Sequence, residues 1–118
     1  MRFFYAVIIV VLFAFPAFAQ LNSELIASAE KGNATAQYVV GLAYHGGMNV
    51  SQDYKKAVEW LTKSANQGFH EAQVMLGTCY FRGQGVTKDY KTGVAWITKA
   101  ANQGNAEAQH NLEIFSKL

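Results

Sequence analysis

Two kinds of hydrophobic pattern divide the chain. From Phe3 to Phe15 the residues are continuously apolar, with no polar face. From Ala34 onward, apolar residues recur every three or four positions, the spacing of an amphipathic helix. Ala36, Val40, Ala43 and Tyr44 mark one stripe and predict a helix over 34–45. Gly46-Gly47 ends it, since glycine readily takes the left-handed conformation in which helices stop. Ala57, Val58, Leu61 and Ala65 mark a second stripe and predict a helix over 54–66, closed by Gly68. Asp53, just before it, is placed to accept from the free N–H groups of its first turn. The next helix starts within three or four residues of Asn66, and so short a link makes antiparallel neighbours.

The pattern then starts again. Laying residues 36–68 over 72–104 gives 33 pairs, of which 17 are identical, without a gap. The phrase SANQGFHEAQ (64–73) returns as AANQGNAEAQ (100–109), and AEKGNATAQ (29–37) lies one period upstream. A fixed period of this length means stacked units, each burying its apolar face against its neighbours. Each unit reads as a first helix (A) and a second helix (B), with Asp89 repeating the cap of Asp53.

Gly41 and Gly77 fall inside the A helices, where glycine costs about 1 kcal/mol relative to alanine. Their recurrence predicts that helix B approaches there too closely for a Cβ. In the third, incomplete copy Glu113 takes that place and no helix B follows, so 106–117 reads as a polar capping helix. Asn49 stands where the second copy has Gly85, which predicts positive φ at both. Trp60 and Trp96 read as pegs between units, each hiding ~150–250 Å² when buried. Cys79 aligns with the small Ala43, which predicts a packed, inert thiol rather than a nucleophile.

The runs A-Q-x-x-x-G-x-x-Y-x-x-G, V-x-x-D-Y-x-K, V-x-W-x-x-K and A-N-Q-G-x-x-x-A-Q resemble the Sel-1-like repeat, a relative of the tetratricopeptide repeat. The resemblance covers about Leu25 to Phe115. It implies an all-α, right-handed α-solenoid of antiparallel helix pairs, about two full repeats plus flanking helices, with the A helices lining a concave groove. Repeats are expected at about 34–69 and 70–105. Two features depart from the family. The first turn, His45-Gly46-Gly47-Met48-Asn49, lacks the usual G-x-G, and the cysteine pair that some exported relatives carry in every repeat is missing.

The front end adds a compartment. Met1-Arg2, the apolar run, Pro16 and the small-x-small Ala17-Phe18-Ala19 have the layout of a secretory signal peptide cleaved after Ala19. The apolar run is shorter than the ~20 residues of a spanning helix. The expected mature domain is residues 20–118, periplasmic or secreted, with no membrane span after cleavage. The single cysteine allows no internal disulfide, so packing must supply the stability. A net charge of +2, without basic clusters, points away from nucleic acid and anionic membranes.

Candidate binding residues follow from the A-helix face opposite Val40. That face carries Thr35, Tyr38, Leu42 and His45, then Glu71, Val74, Thr78 and Phe81, then Glu107, His110 and Ile114. Tyr38, Leu42, His45, Val74, Thr78, Phe81, His110 and Ile114 are the expected groove lining. An apolar stripe with polar edges suits a partner's helix or extended segment. Lys55, Lys56, Lys63, Lys91 and Lys99 read as the solvated face of the B helices.

His45, His70 and His110 lack the H-x-x-x-H or cysteine spacing of a zinc site, so no metal, and no cofactor, is expected. The expected partner is therefore another protein or peptide. The family resemblance implies roles as adaptor, envelope regulator or periplasmic immunity protein. It also raises a cell-wall or β-lactam hydrolase, for which His70, Glu71, Glu107 and His110 are the available acid–base groups. A third alternative is self-association into a weak homodimer through the solenoid ends.

Overall fold

The computed structural model describes residues 23–118, and the expected signal segment lies outside them. Helical residues 23–30 form α1. It is followed by α2 (Ala34–Gly46), α3 (Tyr54–Asn66), α4 (His70–Arg82), α5 (Tyr90–Asn102) and α6 (Ala106–Phe115). No strand occurs among the described residues, and no helix among them is long and apolar enough to cross a membrane. Each helix packs on the next: α2 on α3, α3 on α4, α4 on α5, α5 on α6. This is an all-α helical repeat solenoid. The helices α2 and α4 are the A helices, α3 and α5 the B helices, and α6 a third A helix.

The core is a row of small clusters, one at each junction between units. Val58, Leu61, Ala65, Ala72, Leu76 and Cys79 join α3 to α4, and Val74, Ile97, Ala100, Ala101 and Ala108 join α4, α5 and α6. Leu61, Leu76 and Ile97 are fully buried, each stabilising the stack by about 1.5–3 kcal/mol. The close approach expected at the A-helix glycines is present. A Cβ on Gly41 would sit 2.8 Å from the Leu61 side chain, and one on Gly77 would sit 2.8 Å from Ile97. Glu113, at the same place in α6, is exposed and pairs with Lys117 at 3.2 Å.

The repeated phrase encodes hydrogen bonds as well as packing. Gln37 Nε2 donates to Ala29 O at 3.1 Å, Gln73 Nε2 to Ala65 O at 3.1 Å, and Gln109 Nε2 to Ala101 O at 3.2 Å. Each bond brings a second donor to a carbonyl near the C-terminus of the preceding helix, which also accepts from the N–H of Gly32, Gly68 or Gly104. Gln67 Nε2 then donates to Gln37 Oε1 at 2.8 Å, and Gln103 Nε2 to Gln73 Oε1 at 2.9 Å. Gln37 and Gln73 are both buried, at 4% exposure, and no buried side-chain N or O among the described residues lacks a partner.

Helix starts follow the same period. Asn33 Oδ1 accepts from Ala36 N, Asn105 Oδ1 from Ala108 N, Asp53 from Lys56 N and Asp89 from Thr92 N. The hydroxyl of Thr92 also donates to Asp89, and these two bonds hold its carboxyl below the usual carboxylate range. A depressed native pKa means the cap's contribution is present above the ordinary carboxylate pKa and lost as pH falls through the native one.

The turn that follows helix A has positive φ at Asn49 (59°) and Gly85 (75°), as expected. Gly85 has a second reason to be glycine, since a Cβ there would run into the Tyr54 carbonyl. Gly93, where the first unit has Ala57, lies under the Phe81 ring, 3.2 Å from where its Cβ would be. Trp60 packs on the Ala29–Ala36–Val40 cluster and Trp96 on the Leu61–Leu76 cluster. Both bridge units, but neither is fully buried. Lys63 Nζ and Lys99 Nζ each lie 4.6 Å from the ring centre of the Trp three residues earlier.

Two substitutions measure these contacts. Gly77→Ala gains helix propensity but overpacks against Ile97, so urea denaturation is expected to show a net loss of about 1–2 kcal/mol. Gln73→Leu removes the side-chain tie to the Ala65 carbonyl, which keeps its bond from Gly68 N, and the bond from Gln103, an expected loss of about 1–2 kcal/mol.

Candidate protein-binding face

The A helices α2, α4 and α6 lie side by side. At their N-terminal edge Tyr38 packs on Phe69 with centroids 5.2 Å apart, and Asn105 reaches His70 at 2.8 Å. At the other end His45 Nε2 meets Gln84 Oε1 at 3.0 Å, and Phe81 packs on Phe115 at 4.3 Å. Neighbours at both ends fix α2 parallel to α4. The face they share bears the residues that the sequence singles out.

Those residues do not share one environment. Tyr38, Leu42, His45, Thr78 and Phe81 are half-buried, and His110 and Ile114 are exposed. Val74 is a correction to the expected lining. It is 5% exposed and packs with Ile97 and Ala100 of α5 and Ala108 of α6, which together enclose that side of α4. Phe81 is also partly committed to packing, edge-on to Tyr90 at 5.0 Å as well as against Phe115. Thr78 turns its hydroxyl back to Val74 O at 3.0 Å.

Sequence reasoning missed Phe69. It occupies the N-cap position that Asn33 and Asn105 hold in the other copies, and it makes no side-chain cap bond. An Asn cap is worth about 1 kcal/mol. In its place the middle unit has a half-buried ring between Tyr38 and His70. The available signal was the departure from period, Asn-Phe-Asn at 33, 69 and 105.

Charge on this face is sparse and negative. Glu71 and Glu107 sit in the first turns of α4 and α6, a favourable place for carboxylates at the positive helix end. Burial, followed by the carboxylates of Glu71 and Glu107, raises the pKa of the Tyr38 phenol. Lys55, Lys56, Lys63, Lys91 and Lys99 lie elsewhere, on α3 and α5. Of the possible acid–base groups, the structure brings His70 and Glu71 together, Nδ1 to Oε2 at 3.3 Å. Among the described residues no group of three or more His, Cys, Asp and Glu is placed to hold a metal ion. Cys79 is fully buried, and burial pushes its thiol up to about 11.

Fold and face together define a helical-repeat scaffold that presents a side-chain surface. The family model of the Sel1 repeat matches residues 34–69 and 70–105. The chain belongs to the Sel1 repeat family. Among solved structures, a Sel1 repeat protein from Oxalobacter formigenes is 43% identical with a TM-score of 0.75, over 77% of this chain and 26% of that one. The protective antigen c5321 of uropathogenic Escherichia coli, which displays an SLR fold, is 38% identical with a TM-score of 0.75, over 78% and 20%. Helicobacter pylori cysteine rich protein B is 25% identical with a TM-score of 0.74, over 78% and 69%. The chain thus spans about a quarter of the first and a fifth of the second. A search of curated proteins finds no match.

Two outcomes are expected from this geometry. Phe69→Asn restores the cap while removing ring packing, so urea denaturation should place its stability within about 1 kcal/mol of the parent. Cys79 should resist a thiol reagent in the native protein and react fully in denaturant, since neither access nor thiolate is available in the fold.

Proposed function

We propose that the chain is an exported protein–protein interaction module that holds a segment of another protein on the face of α2, α4 and α6. Sel1 repeat proteins are generally protein–protein interaction modules, and the fold is typically a non-catalytic scaffold. One observation carries the reading to this face. Tyr38, Leu42 and Phe69 stay half-exposed, and Ile114 is 45% exposed, along a line with few charges. The repeat gives up a helix cap at Phe69 to place an aromatic ring there. Apolar and aromatic positions flanked by hydrogen-bonding groups suit a partner's helix or extended segment. The N-terminal layout supports export to the periplasm or beyond, where the module acts as adaptor, envelope regulator or immunity protein.

The test compares three tagged proteins in periplasmic capture: the parent, Tyr38→Ala/His110→Ala on the face, and Lys55→Ala/Lys91→Ala on the B helices. A partner held by the parent and the lysine variant, but bound at least tenfold more weakly by the folded face variant, is the expected result. Equal binding by the parent and the face variant contradicts the proposal.

A further inference from the structure

One junction on this face has two mutually exclusive hydrogen-bond arrangements. Asn105 caps α6 by accepting the Ala108 N–H at Oδ1, 2.9 Å. That bond fixes the amide orientation, so it is the Nδ2 group of Asn105 that faces His70 Nδ1 at 2.8 Å. An NH₂ group can only donate, so this contact is a hydrogen bond when His70 Nδ1 accepts, with the ring proton on Nε2. Glu71 Oε2 lies 3.3 Å from the same Nδ1. It can receive a hydrogen bond from that nitrogen only when the nitrogen carries a proton. One ring nitrogen therefore has an acceptor-state partner on α6 and a donor-state partner on its own helix.

We propose that His70 is a proton-operated clasp between α4 and the C-terminal helix α6. Neutral, it accepts from Asn105 and ties the two helices together. Protonated at Nδ1, it opposes a second donor 2.8 Å away, and the short turn of the ring toward Glu71 replaces the inter-helix bond with one inside α4. The other charged or titratable groups nearby are Tyr38 across on α2, which feels the carboxylates of both Glu71 and Glu107, and Glu107 itself in the first turn of α6. His110 lies one turn further along α6, exposed to solvent. The side chains of His70 and Glu71 are 39% and 44% exposed, so protons reach the junction freely. The remaining ties of α6 are apolar contacts of Ala108, Leu112 and Phe115 and the Gln109 bond to Ala101, none of which titrates. Acid therefore loosens α6 without dissolving the stack. The consequence for a bound partner rests on the face proposed above, because α6 supplies His110 and Ile114 to it. The clasp itself requires no partner.

Amide hydrogen exchange of α6, corrected for intrinsic rates, reads the clasp directly in the full chain. Between about pH 8 and about pH 5, across the histidine range, local opening of α6 should rise roughly three- to tenfold relative to α4, the range set by losing one hydrogen bond. His70→Gln, which has no proton to gain, should abolish the change. Asn105→Asp keeps the cap but turns the donor into an acceptor, so the dependence should invert and acid should tighten α6. An unchanged α6 in the parent, the same response in His70→Gln, or a response of unchanged sign in Asn105→Asp each overturns the proposal. None of these outcomes bears on whether the face binds a protein.

Discussion

A buried side-chain amide has no water to bond, so every polar atom it carries must find a partner in the protein or cost one to several kcal/mol. Gln37 and Gln73 meet this constraint by reaching back to the last turn of the preceding helix, at Ala29 and Ala65, and by accepting from Gln67 and Gln103. Each glutamine therefore has correct partners only when three successive helices are in register. Apolar contacts could tolerate small slips between units. A doubly bonded amide cannot, because a slip orphans both its donor and its acceptor. The stack is a solenoid with one register because this bond set recurs every 36 residues.

The register carries the face. With α2, α4 and α6 fixed side by side, positions related by the period become spatial neighbours, and differences between copies become the content of the surface. Asn33, Phe69 and Asn105 occupy one structural position with two different uses, capping and ring presentation. His45 and Phe81 likewise occupy one position. Beside Phe81 stands Gly93 where the first unit has Ala57, and a Cβ there would crowd both the Gly77 carbonyl and the Phe81 ring. Scaffold and surface are thus separable. Identical positions such as Gln37 and Gln73 hold the stack together, and the variable A-helix positions that stay exposed meet the solvent or a partner.

Much of the scaffold was legible because its signals are local or periodic. Helix 54–66, the Asp53 and Asp89 caps, the positive φ at Asn49 and Gly85, and the burial of Cys79 each depend on a residue type at a fixed place in the repeat. The last helix is shorter than its pattern suggested, ending at Phe115 rather than Lys117. The glutamine bonds were present in the repeated phrase, but identity alone does not say which carbonyl an amide reaches. Val74 was misplaced because a wheel drawn around one helix ignores the neighbours on its flank, and α5 and α6 together enclose that flank. Phe69 was overlooked because it lies outside the helix whose face was being read. These errors share a cause: surface positions depend on which helices are laterally adjacent, and that is a property of the stack.

The central claim is that the glutamines couple successive helices, Gln73 bonding Ala65 at the end of α3 and Gln103 at the end of α5. A double-mutant cycle on Gln73 and Gln103, each changed to Ala singly and together and followed by urea denaturation, measures that coupling. The account predicts an interaction energy of about 1 kcal/mol or more for this pair, and additivity within about 0.5 kcal/mol for Gln37 with Gln103, which share no bond. Additivity for both pairs would contradict it.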